Sequence, residues 1–232
     1  MPKVKNKSIV STALAEEMLK AGVHFGHKKS SWNARMKPYI FALRNNIYII
    51  DLEKTMEQLD KALNFIKEIV KEKGKILFIG TRPQSQNLLE ETAKKCKMPY
   101  VISRWIGGLL TNFNTIRKRV EHLLDLERKK LSGELKKYTK REQQKIDEEI
   151  ERLKKKFEGI KKLEKLPEAI LVLSAKEQTS AIREARRKNI PIIALVDTDS
   201  DPSLIDYPIP SNDDAISALK FMLDKITKAV KT

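Results

Sequence analysis

"KILFIGTRPQSQNLLEETAKKCKMPYVIS", residues 75–103, reads as strand, helix, strand, and that order decides the fold. "KILFIG" is a short, almost continuous apolar run, the pattern of a strand covered on both faces within a parallel sheet. "RPQSQNLLEETAKKC" supplies the helix and "PYVIS" the next strand. Upstream, "NIYIIDL" reads as a strand. "EKTMEQLDKALNFIKEIVKEKG" reads as a helix with Met56, Leu59, Leu63, Ile66 and Val70 on one stripe and Gly74 at C′. Downstream, the alternation stops for about fifty residues and then resumes. It continues with "EAILVLSA" as strand, "EQTSAIREARRKN" as helix, "IPIIALVDT" as strand, "DYPIP" as a short extended piece and "DDAISALKFMLDKITKAV" as closing helix. The fold class is therefore α/β, a mostly parallel sheet flanked by helices with right-handed crossovers.

The interruption, residues 113–165, carries no strand signal. Ile146, Ile150, Leu153, Phe157 and Ile160 recur at alternating spacings of four and three, a heptad seam. Ile116, Val120, Leu123, Leu124 and Leu131 offer the facing side, Gly133 breaks the helix, and Thr139 with Glu142 has the spacing of a capping box. The expected organisation is an α/β domain over 1–112 and 166–232, with a basic N-terminal segment, and an inserted antiparallel coiled-coil helical hairpin over 113–165.

Among 232 residues, 47 lysines and arginines face 31 acids, a net charge of +16. Residues 1–44 hold 9 basic against 2 acidic side chains, and residues 113–165 hold 18 against 11. Polyanions are the expected partners. One cysteine, Cys96, rules out an intrachain disulfide and thiolate zinc clusters. No apolar run reaches the roughly 20 residues that span a bilayer, and the first residues lack a secretory h-region. These features point to a cytoplasmic protein with no membrane partner.

His24-x-x-His27 invites a metal reading, with Asp197, Asp199, Asp201 and Asp206 as the remaining donors, but "DTDSDPSLID" lacks the glycine and terminal glutamate of an EF-hand loop. Caps and turns account for the aspartates, so no metal is assigned. "FIGTRPQSQ" presents a helix start to an anion, with Arg82 exposed beside the turn, yet it has one glycine where a dinucleotide fingerprint needs three, and no Walker lysine. No nucleophile elbow or zincin motif is present. An α/β enzyme acting on a nucleotide or phosphosugar is the rival reading, and no cofactor and no catalytic residue are assigned.

RNA contact uses the most residues at once. Cations neutralise phosphates, aromatic rings stack on unpaired bases, and asparagine bonds base edges or riboses. His24, His27, Lys28, Lys29, Trp32, Asn33, Arg35, Lys37 and Arg44 supply that mixture, and Arg104, Trp105, Asn112, Arg117, Lys118 and Arg119 repeat it. Arg82 adds a cation at the strand end. Either tryptophan is also a candidate buried anchor.

The blocks "AGVHFGHKKSSWNARMKPYIFALRNNIYIIDLEKT", "KGKILFIGTR", "SRWIGGLLTNFNTIRK", "LPEAILVLSA" and "ARRKNIPIIALVDTDSDPSLIDYPIPSNDDAI" together resemble the small-subunit ribosomal protein S-two family, in order, over about residues 9–230. The resemblance implies a flavodoxin-like sheet with a protruding helical hairpin and no catalysis. It implies binding to small-subunit ribosomal RNA, contact with neighbouring small-subunit ribosomal proteins, and help in recruiting ribosomal protein S-one. The "HFGH", "WN", "MKPYI" and "RWIGGLLTNF" blocks are the parts it places at or beneath the RNA surface. The chain departs from the family where Asp199 replaces a frequent asparagine, Ser203 an acid and Pro83 a basic residue.

Overall fold

The computed structural model describes residues 13–231, of which 13–21 are helical (α1). Residues 1–12, the start of the basic N-terminal segment, lie outside the described residues. Five strands, β4 (Ile76–Ile79), β5 (Tyr100–Val101), β6 (Ala169–Val172), β7 (Ile192–Val196) and β8 (Tyr207–Pro210), form one wholly parallel sheet in the order β5-β4-β6-β7-β8. Numbered among themselves these strands run 2-1-3-4-5, the flavodoxin-like order.

Alternation along each strand splits the core in two. Phe78, Leu171, Ile193 and Leu195 face a cluster completed by α2 (Leu52–Lys71), α3 (Pro83–Cys96) and α7 (Ile216–Lys231). Leu77, Ile79, Ile170, Val172, Ala194 and Val196 face the other side, where α6 (Thr179–Arg187), α4 (Phe113–Leu131) and α5 (Lys140–Phe157) close the layer. Because both faces are covered, the strands read as apolar runs without alternation.

The strand expected at "NIYIIDL" exists as β3 (Ile47–Ile50) but does not join the parallel sheet. It pairs antiparallel with β1 (Phe25–Lys28) and β2 (Ile40–Arg44) in a separate sheet ordered β1-β3-β2. The tight return Arg44–Ile47 brings β2 onto β3, with Asn45 and Asn46 both at positive φ, which asparagine tolerates. The α2 terminus also differs in detail from expectation. Lys73, not Gly74, takes the left-handed C′ position, with φ +58°, and Gly74 follows as C″, its N–H bonded to Ile69 O at 2.8 Å. Gly74 is needed for space: a Cβ there would lie 2.7 Å from Ile69 Cγ2.

Cross-helix pairs Lys130–Asp147, Glu127–Lys154 and Arg117 with the Lys161 carbonyl show α4 and α5 running antiparallel. The capping box forms, Thr139 and Glu142 satisfying each other's backbone N–H groups. Ile116, Val120 and Leu123 meet Ile150, Leu153, Phe157 and Ile160 in one buried cluster, with Ile146 partly buried against it. Leu124 and Leu131 do not join this seam. Both are exposed, Leu131 by 89%, and Leu126 takes the buried place instead. A straight helix advances past a strict seven-residue repeat, so the buried stripe drifts from the sequence template.

Candidate nucleic-acid interface

The first cluster sits on the small antiparallel sheet and the turns beside it. Lys28 and Arg44 are both paired opposite Ile47, one on each flank of β3, so they lie in one row of the sheet. Both are exposed, as are Lys29 and Lys37. Trp32 is half-buried, its ring tilted on Tyr48 with centroids 5.0 Å apart. Asn33 caps the turn Ala34–Tyr39, its side chain accepting from Arg35 N at 3.0 Å. Arg35 is turned onto Asp201 as an ion pair and donates to Ser203 Oγ at 3.1 Å. His24 packs against Phe25, and burial lowers its pKa.

His27 is set among the carboxylates at the carboxyl ends of β7 and β8. Its Nδ1 lies 3.1 Å from Asp197 Oδ1, and its Nε2 lies 3.4 Å from both Asp199 and Asp214. The Asp197 contact raises the imidazole, against the cost of burial and with help from Asp199 and Asp214, to about 9. Gly26 permits this approach, since a Cβ would lie 2.5 Å from Thr198 Cγ2. Thr198 Oγ1 accepts from His27 N at 2.7 Å, and Thr198 O accepts from Asn33 N at 2.8 Å. The aspartate loop thereby staples the antiparallel sheet to the parallel one. Among the described residues, no group of three or more His, Cys, Asp or Glu is arranged to hold a metal ion.

Arg82 is not exposed as the sequence suggested. Its side chain is 16% accessible, bonded to Asp213 Oδ1 at 2.8 Å, paired with Asp214, and 3.6 Å from Glu177. Burial pushes the Asp213 carboxyl up to about 6 despite Ser174 and Arg82. This cluster lies at the strand-order switch between β4 and β6, the usual ligand seat of such sheets. Here Arg82 is already neutralised, and carboxylates would repel an incoming phosphate. The geometry does not favour the nucleotide or phosphosugar reading.

In the second cluster Arg104, Asn112, Lys118 and Arg119 are exposed. Arg117 is turned inward, donating to the carbonyls of Lys161 and Leu163 at 3.2 and 3.3 Å, and ties α4 to the end of the hairpin. Trp105 is half-buried, and its Nε1 donates to Glu184 at 3.0 Å. Arg104, Trp105 and Ile106 form one wall of a groove whose other wall is α5, which contributes Arg152, Lys155 and Lys156 but also Asp147, Glu148 and Glu151. Beneath both clusters the core is shared: Met36 from the first and Leu109 and Leu110 from the second belong to one buried group. Glu184 has no counterpart in the sequence reading. Its signal was present, since it falls three residues after Ala181 and beside Ala185, on the buried stripe of α6. His122 stands apart on α4, 3.6 Å from Glu149.

Among the described residues no helix is long and apolar enough to cross a membrane. Residues 18–232 match the family described as Ribosomal protein S2. The chain is 47% identical over 219 residues to "Small ribosomal subunit protein uS2" of Dehalococcoides mccartyi strain 195, covering 94% of this chain and 89% of that relative. It is 46% identical to proteins of the same name from Coprothermobacter proteolyticus, over 93% of this chain and 80% of the relative, and from Dictyoglomus thermophilum, over 94% and 88%. With a family match across nearly all its length and relatives this similar over most of theirs, the chain belongs to the ribosomal protein S2 family, structural rather than enzymatic constituents of the small ribosomal subunit.

Proposed function

We propose that the chain binds small-subunit ribosomal RNA through its two basic clusters, and that it helps recruit ribosomal protein S-one. One observation carries the RNA reading. Lys28, Lys29, Lys37, Arg44, Arg104 and Lys118 are exposed and make no ion pair among the described residues, although Arg35 and Arg117 in the same clusters, and Arg82 at the end of β4, are engaged by the protein itself. Cations left without intramolecular partners are what a phosphate backbone requires. His24, Trp32, Asn33, Trp105 and Asn112 act with them, some by supporting the surface from beneath. His27, Arg35, Arg82 and Arg117 serve mainly to hold it in shape. The hairpin over 113–165 acts as an arm inserted into the α/β domain of 1–112 and 166–232, with Ile116, Val120 and Phe157 sharing the buried cluster of the sheet. The S-one partnership rests on the family resemblance, and co-sedimentation of S-one with subunits lacking or containing this chain tests it.

If about six phosphates are neutralised, affinity for a small-subunit RNA transcript falls about a thousandfold between roughly 50 and 200 mM salt. Filter binding across that range measures it, and no affinity at the lowest salt defeats the reading. Reversing Lys155 and Lys156 to glutamate is expected to weaken the same binding by about tenfold while changing stability by less than about 0.5 kcal/mol. Lys154 is left out because it lies near Glu127 and Glu151. Equal losses of docking and stability would make these lysines structural.

A further inference from the structure

Glu184 is 9% exposed and sits on the buried face of α6. Five donors converge on its carboxylate. Trp105 Nε1 and Gly108 N reach Oε1 at 3.0 and 2.9 Å, and Leu110 N, Thr111 N and Thr111 Oγ1 reach Oε2 at 3.1, 3.2 and 3.1 Å. All five come from residues 105–111, the segment between β5 and α4. Burial alone would raise this carboxyl, but the bonds from Trp105, Gly108, Thr111 and Leu110 outweigh it and hold the group below the usual carboxylate range. The backbone N–H groups of Gly108, Leu110 and Thr111 are thus turned inward. Arg104, Gly107 and Asn112 are left exposed, with nothing within 4 Å of the place a Gly107 Cβ would occupy.

We propose that Glu184 is a positioning residue for RNA recognition: without touching RNA, it gathers residues 105–111 into the one conformation that holds Arg104 and Asn112 outward. The inference rests on the RNA-binding reading above. The chemistry specifies a carboxylate. Ionised, it accepts at both oxygens and donates nothing. In Glu184→Gln one of the two positions becomes an NH2 facing two donors at Oε1 or three at Oε2, so part of the segment must let go.

The test compares wild type, Glu184→Gln, Thr111→Val and a control, Ile226→Val, which trims a fully buried side chain of α7 on the opposite face of the sheet. Each is titrated with a small-subunit RNA transcript at several salt concentrations. Trp105 quenching by acrylamide is read in a Trp32→Phe background. Glu184→Gln is expected to bind about tenfold more weakly, with a salt slope lower by about 0.7–0.9 for each phosphate no longer neutralised, and to expose Trp105 to quencher. Thr111→Val, which removes one donor and leaves the carboxylate satisfied, should shift all three readouts less, in the same direction, and it decides the matter if Glu184→Gln does not fold. Ile226→Val should lower the melting temperature and leave slope and quenching alone. Native affinity and native quenching in Glu184→Gln overturn the inference, as does an equal fall in slope in Ile226→Val. A wild type without RNA affinity overturns the RNA reading, and the quenching comparison then decides the positioning by itself.

Discussion

Replacing Phe78 by alanine is expected to lower the unfolding free energy by about 3–5 kcal/mol, measured as a lower urea midpoint with an unchanged slope. Phe78 lies on β4, paired with Tyr100 of β5 on one side and Leu171 of β6 on the other, and it is fully buried. Helices α2, α3 and α7 all pack on its side of the sheet. Three helices anchored on several strands cannot close together around one missing ring, so most of the cavity persists, and the loss falls toward the upper end of the range. A loss below about 1 kcal/mol would mean that this face collapses freely. RNA binding by the folded fraction should be unaffected, since the two basic clusters lie on other elements.

The second large effect is a pH dependence with a defined sign. His27 has an ordinary pKa of 6.5 and is raised to about 9 in the folded protein. A raised pKa means that the folded state holds the proton more tightly than the unfolded chain. The stabilisation is therefore complete below about 6.5 and is lost as pH rises through about 9. At about 1.4 kcal/mol for each pH unit of that difference, the loss is on the order of 3 kcal/mol. Lys176, bonded to Asp199 at 2.8 Å, and Arg82, paired with Asp214, share those carboxylates and temper the effect. Urea midpoints on either side of this window, in wild type and in His27→Gln, measure it. The wild type should fall steeply and the variant little, and parallel curves would show that His27 is not the titrating group. Asp213, raised to about 6, acts in a lower window: stability increases as pH falls from about 6 toward 3.8, because the folded state again binds the proton first.

These two predictions come from opposite ends of what the sequence discloses. Phe78 was readable from "KILFIG" alone, because a strand covered on both faces must be apolar at successive positions. Helix α5 was readable in the same way, from its spacings of three and four and from the Thr139–Glu142 box, both local rules. Its partner stripe was only half legible: Leu124 and Leu131 fit the template as well as Leu126 does, and only packing against α5 chooses between them.

The site was less legible than the fold. The basic and aromatic clusters stand out in the sequence, but composition cannot say which cations the protein engages internally. Arg82, Arg35 and Arg117 are each held by groups 44 to 168 residues away in sequence. Nor could it place β3 in a second sheet, since a strand's own pattern does not name its partner. Strand and helix order and the layered α/β architecture followed from the sequence alone, because each rests on near-neighbour periodicity. Only the tertiary structure decided that His27 is surrounded by aspartates, that the ligand seat at the switch point is filled by an arginine and carboxylates, and that Glu184 anchors the segment bearing Trp105. Those outcomes depend on electrostatic and hydrogen-bond partners brought together across the whole chain, and no local pattern encodes them.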